Sequence, residues 1–108
     1  MPVSIATLVV DCDDALKVAR FWSELLDASL AQDADQDWAT IDTTPQLAFA
    51  RVPDKTPGKN VIHLDLSTGD SHVAIERAVG LGATRVADHD GWTTLADVEG
   101  NVFDVATS

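Results

Sequence analysis

At 108 residues and 45% hydrophobic content, the chain is sized for one domain that buries its own core. Its 18 Asp and Glu against 7 Lys and Arg give a net charge of -11, which opposes the counterion release behind nucleic-acid binding, makes anionic membranes poor partners, and favours a neutral or cationic small molecule. No run reaches the ~20 apolar residues of a membrane span, the opening MPVSIATLVVD lacks a signal peptide's pattern, and lone Cys12 allows neither an internal disulfide nor a cysteine zinc site, so a cytoplasmic protein with a buried, reduced thiol is expected.

Taken in chain order, residues 4–10 are rich in β-branched and apolar side chains and predict a strand. Asp13 or Asp14 then opens a helix over Ala15–Leu26, whose apolar stripe is Val18, Trp22, Leu25 and Leu26. Three strands follow at about 29–33, 37–43 and 46–52, with Asp35-Gln36-Asp37 as a turn. Pro53–Asn60, with two prolines, two lysines and a glycine, reads as a linker. The pattern then repeats. A strand at 61–66 precedes a helix over Ser71–Leu81 opened by Asp70, with Ala74, Ala78 and Leu81 beside Ile75 and Val79 as its stripe and Gly82 at its stop. Strands at about 83–88, 91–96 and 102–106 are separated by Asp90-Gly91 and Glu99-Gly100-Asn101.

The repeat is visible in individual residues. Thr7-Leu8-Val9-Val10 and Asp14 recur as His63-Leu64-Asp65-Leu66 and Asp70, an offset of 56. Trp38, Thr40, Ile41 and Phe49 recur as Trp92, Thr94, Leu95 and Phe103 at an offset of 54, with the same spacing of 11 from tryptophan to phenylalanine. A two-residue deletion between helix and second strand accounts for the change. The expected fold class is therefore α+β, a single domain over 1–108 with βαβββ modules at about 1–53 and 60–108.

Side chains alternate along a strand, so each strand divides into two faces. Ile62, Leu64 and Leu66, like Ala6, Leu8 and Val10, form apolar rows suited to pack under a helix. Val61, His63 and Asp65, and Ile5, Thr7 and Val9, take the other side. With Phe103 and Val105 in the core, Val102, Asp104 and Ala106 turn away from it. With Ile41 and Leu95 inward, Trp38, Thr40, Trp92 and Thr94 share the face of His63 and Asp104. Two tryptophans, a histidine and a carboxylate on one face are the makings of a ligand pocket. These assignments assume no bulge. His72, on a helix's first turn, and His89, in a turn, are expected at the surface.

The sequence resembles the glyoxalase-like and bleomycin-resistance-like proteins of the vicinal oxygen chelate superfamily. The resemblance runs through the opening strand, the helix Asp14 to Leu26, the strand His63-Leu64-Asp65-Leu66 and the closing Asp97-Val98-Glu99-Gly100-Asn101-Val102-Phe103-Asp104. Val98 stands where proline is usual and Trp22 where tyrosine is. The resemblance implies two βαβββ modules forming an incomplete mixed β-barrel around a pocket, and a homodimer. It also implies that enzymes of the group hold a divalent metal from the first and last strands of each module. The matching positions are Thr7 and Ala50 in the first module and His63 and Asp104 in the second.

Of these four, His63 and Asp104 alone can readily bind a metal, whereas stable protein sites usually supply three or more ligands. No cofactor is therefore expected, with a divalent metal (Zn, Fe, Mn, Ni or Mg) on His63 and Asp104 as the alternative. Asp65, or a partner subunit, could add a further donor. The first functional expectation is a binder of a small, largely apolar or cationic organic molecule, by sequestration as in bleomycin resistance proteins. Its lining would be Thr7, Trp38, Thr40, Ala50, His63, Asp65, Trp92, Thr94 and Asp104. The second is a metal-dependent lyase, isomerase or dioxygenase using His63 and Asp104. A partner-binding domain is the third.

Overall fold

A computed structural model of the chain describes residues 5–53 and 63–107. The chain divides into two compact units, Met1–Lys55 and Thr56–Ser108. The first contains β1 (Thr7–Cys12), α1 (Ala15–Leu26), β2 (Trp38–Ile41) and β3 (Gln46–Arg51). The second contains β4 (Leu64–Leu66), α2 (Ser71–Gly80), β5 (Thr84–Asp88), β6 (Trp92–Ala96) and β7 (Val102–Ala106). The α+β class read from the sequence is the class observed, with one sheet in each unit. Strand order is β1-β3-β2 in one and β4-β7-β6-β5 in the other. In both, the strand before the helix runs parallel to the last strand of its unit, and the remaining pairings are antiparallel.

Both helices start as their sequences specify. Asp14 and Asp70 are N-caps in extended conformation, and their carboxylates accept from the N–H groups of Lys17 and Val73 at 3.2 Å. In α1 the buried stripe is Ala15, Val18, Ala19, Phe21 and Trp22, while Leu25 and Leu26 are half-buried. Phe21 and Trp22 meet edge to face at 5.3 Å. The stripe of α2 is narrower, with Ile75 and Ala78 buried and Val79 exposed. Gly82 takes φ +118° just beyond the Leu81 cap, where the sequence asks for a residue of positive φ.

Several boundaries differ from the sequence expectation. The first strand is Thr7–Cys12, not 4–10, of which residue 4 lies outside the described residues. Its partner sets the limits: β3 begins after Pro45, which has no N–H for the ladder, and Gln46 pairs with Thr7. The expected strand 29–33 reduces to one bridge, Leu30 to Ile41, because the chain turns at once, Ala34 N–H donating to Ala31 O. Val61 and Ile62 of the expected strand 61–66, and residues 54–60 of the expected linker, lie outside the described residues. A register shift between Arg85 and Ala87 places a bulge in β5, away from the strands on which the face assignment rests.

The core of each unit follows the alternation, with the addition of Ala48, which is fully buried on the other face of β3. Ala39, Ile41 and Phe49 are buried in one, and Leu95, Phe103 and Val105 in the other, while Trp38 and Trp92 between them are exposed. Cys12 forms no disulfide and is fully buried.

Candidate functional site in the second unit

The ladders fix which residues are true counterparts between the units. Leu8 pairs with Leu47, and Leu64 with Phe103. Ile41 also pairs with Leu47, and Leu95 with Phe103, so the connection between these last two strands is two residues longer in the second unit. The extra length lies in a loop organised by buried Asp97. Its carboxylate accepts from the backbone N–H groups of Glu99 and Asn101 and from the Asn101 amide at 2.9–3.0 Å. The equal tryptophan-to-phenylalanine spacings therefore do not mark equal positions: Phe49 opposes Ala39, while Phe103 opposes Leu95. The counterpart of Asp104 is Ala48, not Ala50. Ala50 faces Trp38 and corresponds to Ala106, which faces Trp92.

With the register corrected, each sheet carries one cross-strand row at the same place. In the first unit the row is Val9–Ala48–Thr40. In the second it is Asp65–Asp104–Thr94. An apolar row in one copy has become an acidic row in the other. Two carboxylates at directly paired positions repel, so this arrangement costs stability unless something positive or protic lies between them.

His63, at the entrance to β4, supplies such a group. Its Nε2 lies 3.1 Å from Asp65 Oδ1 and 3.4 Å from Asp104 Oδ2. A lone pair aimed at two carboxylate oxygens would be repulsive, so this placement suits a nitrogen that presents a proton or a cation to them. Donor atoms of His63, Asp65 and Asp104 all lie within 4.8 Å of one another. The donor set, one imidazole nitrogen and two carboxylate oxygens, suits a divalent transition metal with the remaining positions left to water or ligand. The side chains of His63 and Asp65 are 52% and 76% exposed, whereas Asp104 is 20% exposed. The other oxygen of Asp104, Oδ1, accepts from the Thr94 hydroxyl at 2.6 Å, so this carboxylate is held at both ends.

Among the residues singled out from sequence, the second unit brings His63, Asp65, Thr94 and Asp104 into contact. Trp92 stands two residues before Thr94 on the same face. Thr7, Trp38, Thr40 and Ala50 belong to the first unit. There Thr7 hydrogen-bonds Gln46 at 3.3 Å, and Thr40 faces Ala48 instead of a carboxylate. His72 is at the surface as expected, 3.4 Å from Glu76 along its helix.

His89, expected to be only a surface turn residue, is exposed but engaged. Its ring stacks on Trp92 at 4.5 Å and 19°, and its Nε2 lies 3.2 Å from Thr94 Oγ1. The signal was the hairpin itself: a two-residue loop, Asp90-Gly91, folds position 89 beside position 92.

A model of the glyoxalase-like domain matches residues 7–106. Structures similar to this chain include the hypothetical protein SA1046 from S. aureus, with TM-score 0.76 and 14% identity, covering 100% of this chain and 95% of that one. A glyoxalase/bleomycin resistance protein/dioxygenase family enzyme from Burkholderia phytofirmans PsJN gives TM-score 0.72 and 15% identity, covering 94% and 96%. The fosfomycin resistance protein FosX from Mesorhizobium loti gives 0.75 and 16%, covering 100% and 94%. At these identities the likeness is one of fold. No curated protein matches the sequence. With a family model spanning nearly the whole chain, the chain belongs to the glyoxalase-like domain family of the vicinal oxygen chelate superfamily.

Proposed function

We propose that the second unit binds a divalent cation through His63, Asp65 and Asp104, and that the protein uses it to engage a small molecule bearing oxygen donors. The observation that carries this reading is the placement of His63 Nε2 between Asp65 Oδ1 and Asp104 Oδ2. His63 and Asp104 alone would leave an ion short of protein donors, and Asp65 relieves that shortage. When bound, a divalent ion of this donor class acts as a Lewis acid on ligand oxygens. The chain's own residues divide the remaining work. Asp104, fixed by Thr94 and His63, sets the position of the site. Asp65, mostly exposed and joined to His63 through one oxygen, is the member free enough to rearrange when a ligand arrives. Trp92, 41% exposed on the same face, offers an apolar surface beside the acidic row.

A second reading rests on that same juxtaposition. Two carboxylates next to an exposed tryptophan also suit an organic cation, bound by charge and by the indole face without a metal. This is the sequestering binder expected from the sequence.

Titration of metal-free protein with Co2+, Mn2+ and Zn2+ separates the two. Stoichiometric uptake that His63→Ala abolishes and Asp65→Asn weakens supports the first reading. No uptake, together with saturable quenching of tryptophan fluorescence by an aromatic ammonium compound, supports the second. Uptake unaffected by Asp65→Asn would sink the three-donor site. In either reading a homodimer remains the expected assembly, and light scattering is its check.

A further inference from the structure

We propose that His89 is a positioning residue for the acidic row, acting through Thr94 on Asp104. The inference rests on the cation-binding reading for its consequence, but its cause lies in the hydrogen-bond chain alone. A carboxylate can only accept, so the Thr94 hydroxyl spends its single proton on Asp104 Oδ1. The Thr94 oxygen is then left as an acceptor towards His89, which requires the proton of that imidazole to lie on Nε2. The chain His89 to Thr94 to Asp104 thus has one direction. His89 holds the hydroxyl rotor so that it points at the carboxylate. Stacking on Trp92 holds the imidazole in turn, and the bond from the backbone N–H of His89 to Trp92 O, 2.8 Å, fixes the backbone that carries it.

The repeat provides an internal control. Asp35 occupies the place of His89 in the first unit, and its N–H donates to Trp38 O as that of His89 does to Trp92 O. The turn, the tryptophan and the threonine two residues later are therefore common to both copies. Yet the Asp35 carboxylate folds back on its own turn, accepting from the N–H groups of Asp37 and Trp38 at 2.8 and 3.0 Å. Nothing in that row needs orienting, because Thr40 faces Ala48. A ring that reaches onto the threonine occurs in the unit whose threonine serves a carboxylate. An ornamental surface histidine would have no reason to keep that company.

Loss of such an outer partner typically weakens a metal site about tenfold or more. The test compares wild type with His89→Ala, His89→Gln and Thr94→Val. The glutamine amide stands where Nε2 does and can donate to the threonine, so it should restore what alanine removes. In metal-free protein, His89→Ala should move the Asp104 13Cγ resonance towards its value in Thr94→Val, with His89→Gln returning it. In the Co2+ titration followed by visible absorption, His89→Ala should weaken binding about tenfold, with recovery in His89→Gln. A wild-type 13Cγ shift and wild-type Co2+ affinity in His89→Ala would overturn the proposal. Failure of wild type to take up Co2+ sinks the cation-binding reading instead, and the metal-free resonance then decides the role of His89 by itself.

Discussion

Thr94 donates its hydroxyl to Asp104 at 2.6 Å, whereas the same ladder position in the first unit sets Thr40 against Ala48. Two differences in a duplicated row, Val9 against Asp65 and Ala48 against Asp104, separate an acidic cluster from an inert patch. The first prediction concerns the cost of the second. Asp65 and Asp104 are directly paired like charges whose repulsion His63 offsets, so Asp104→Asn should change the stability of metal-free protein little while abolishing cation binding. Thermal unfolding in chelator and then in Co2+ checks both halves. Wild type should gain about 2.7 kcal/mol at cation concentrations near 100 times Kd, and the variant nothing. A variant markedly less stable in chelator would show that Asp104 is a structural residue.

The converse substitution should fail. Ala48 is fully buried, and the first unit offers no imidazole at the place of His63, only Thr7 bonded to Gln46. Ala48→Asp would bury an unpaired carboxylate, with an expected loss of about 3–5 kcal/mol, measured by denaturant unfolding. The loss should shrink as the pH falls and the new carboxyl protonates. An unchanged midpoint would mean that this row is open to solvent.

The sequence made the alternation legible because a period of two survives small errors in strand ends: Ala39, Ile41, Leu95 and Phe103 are buried as their parity requires. Caps were legible for a similar reason, since an aspartate before an apolar stripe has a local chemical role. Register was not. The equal spacings Trp38 to Phe49 and Trp92 to Phe103 suggested equal hairpins, and nothing in them shows that two extra residues enter through the Asp97 loop. Contacts made across a tight turn were also hidden, because His89 reads as polar and exposed whether or not its ring lies on Trp92. Asp65 was legible as a neighbour of His63 by parity. That its oxygen reaches Nε2 is a matter of side-chain geometry that spacing does not encode.

Asp35 supplies a pH prediction. Hydrogen bonds from the N–H groups of Trp38 and Asp37 hold its carboxyl below its ordinary value of 3.8. A group whose folded pKa is depressed contributes stability above its unfolded pKa and loses it as pH falls through the folded value. Asp35→Asn, which keeps an acceptor but does not titrate, should therefore be less stable than wild type near neutrality. The gap should close below about pH 4. Paired unfolding curves from pH 7 to pH 2.5 give the answer. A gap independent of pH would place the effect in turn geometry.

The two glycines after Val79 should respond in opposite directions. Gly80 ends α2, and a Cβ built there meets nothing within 4 Å. Gly80→Ala should then stabilise the protein by about 0.5–1 kcal/mol, by lowering the entropy of the unfolded chain without touching the folded one. Gly82 has φ +118°, and its Cβ would stand 2.7 Å from Val98 Cγ1. Gly82→Ala combines backbone strain with a clash against a β-branched side chain that has few χ1 rotamers to move into. A loss of about 1–3 kcal/mol is expected from the strain alone. Adding Val98→Ala should relieve the clash and leave the strain, so the double variant should recover only part of the loss, after allowance for the cost of Val98→Ala alone. Full recovery would assign the whole effect to the side chain of Val98, and no recovery would assign it to the backbone of Gly82.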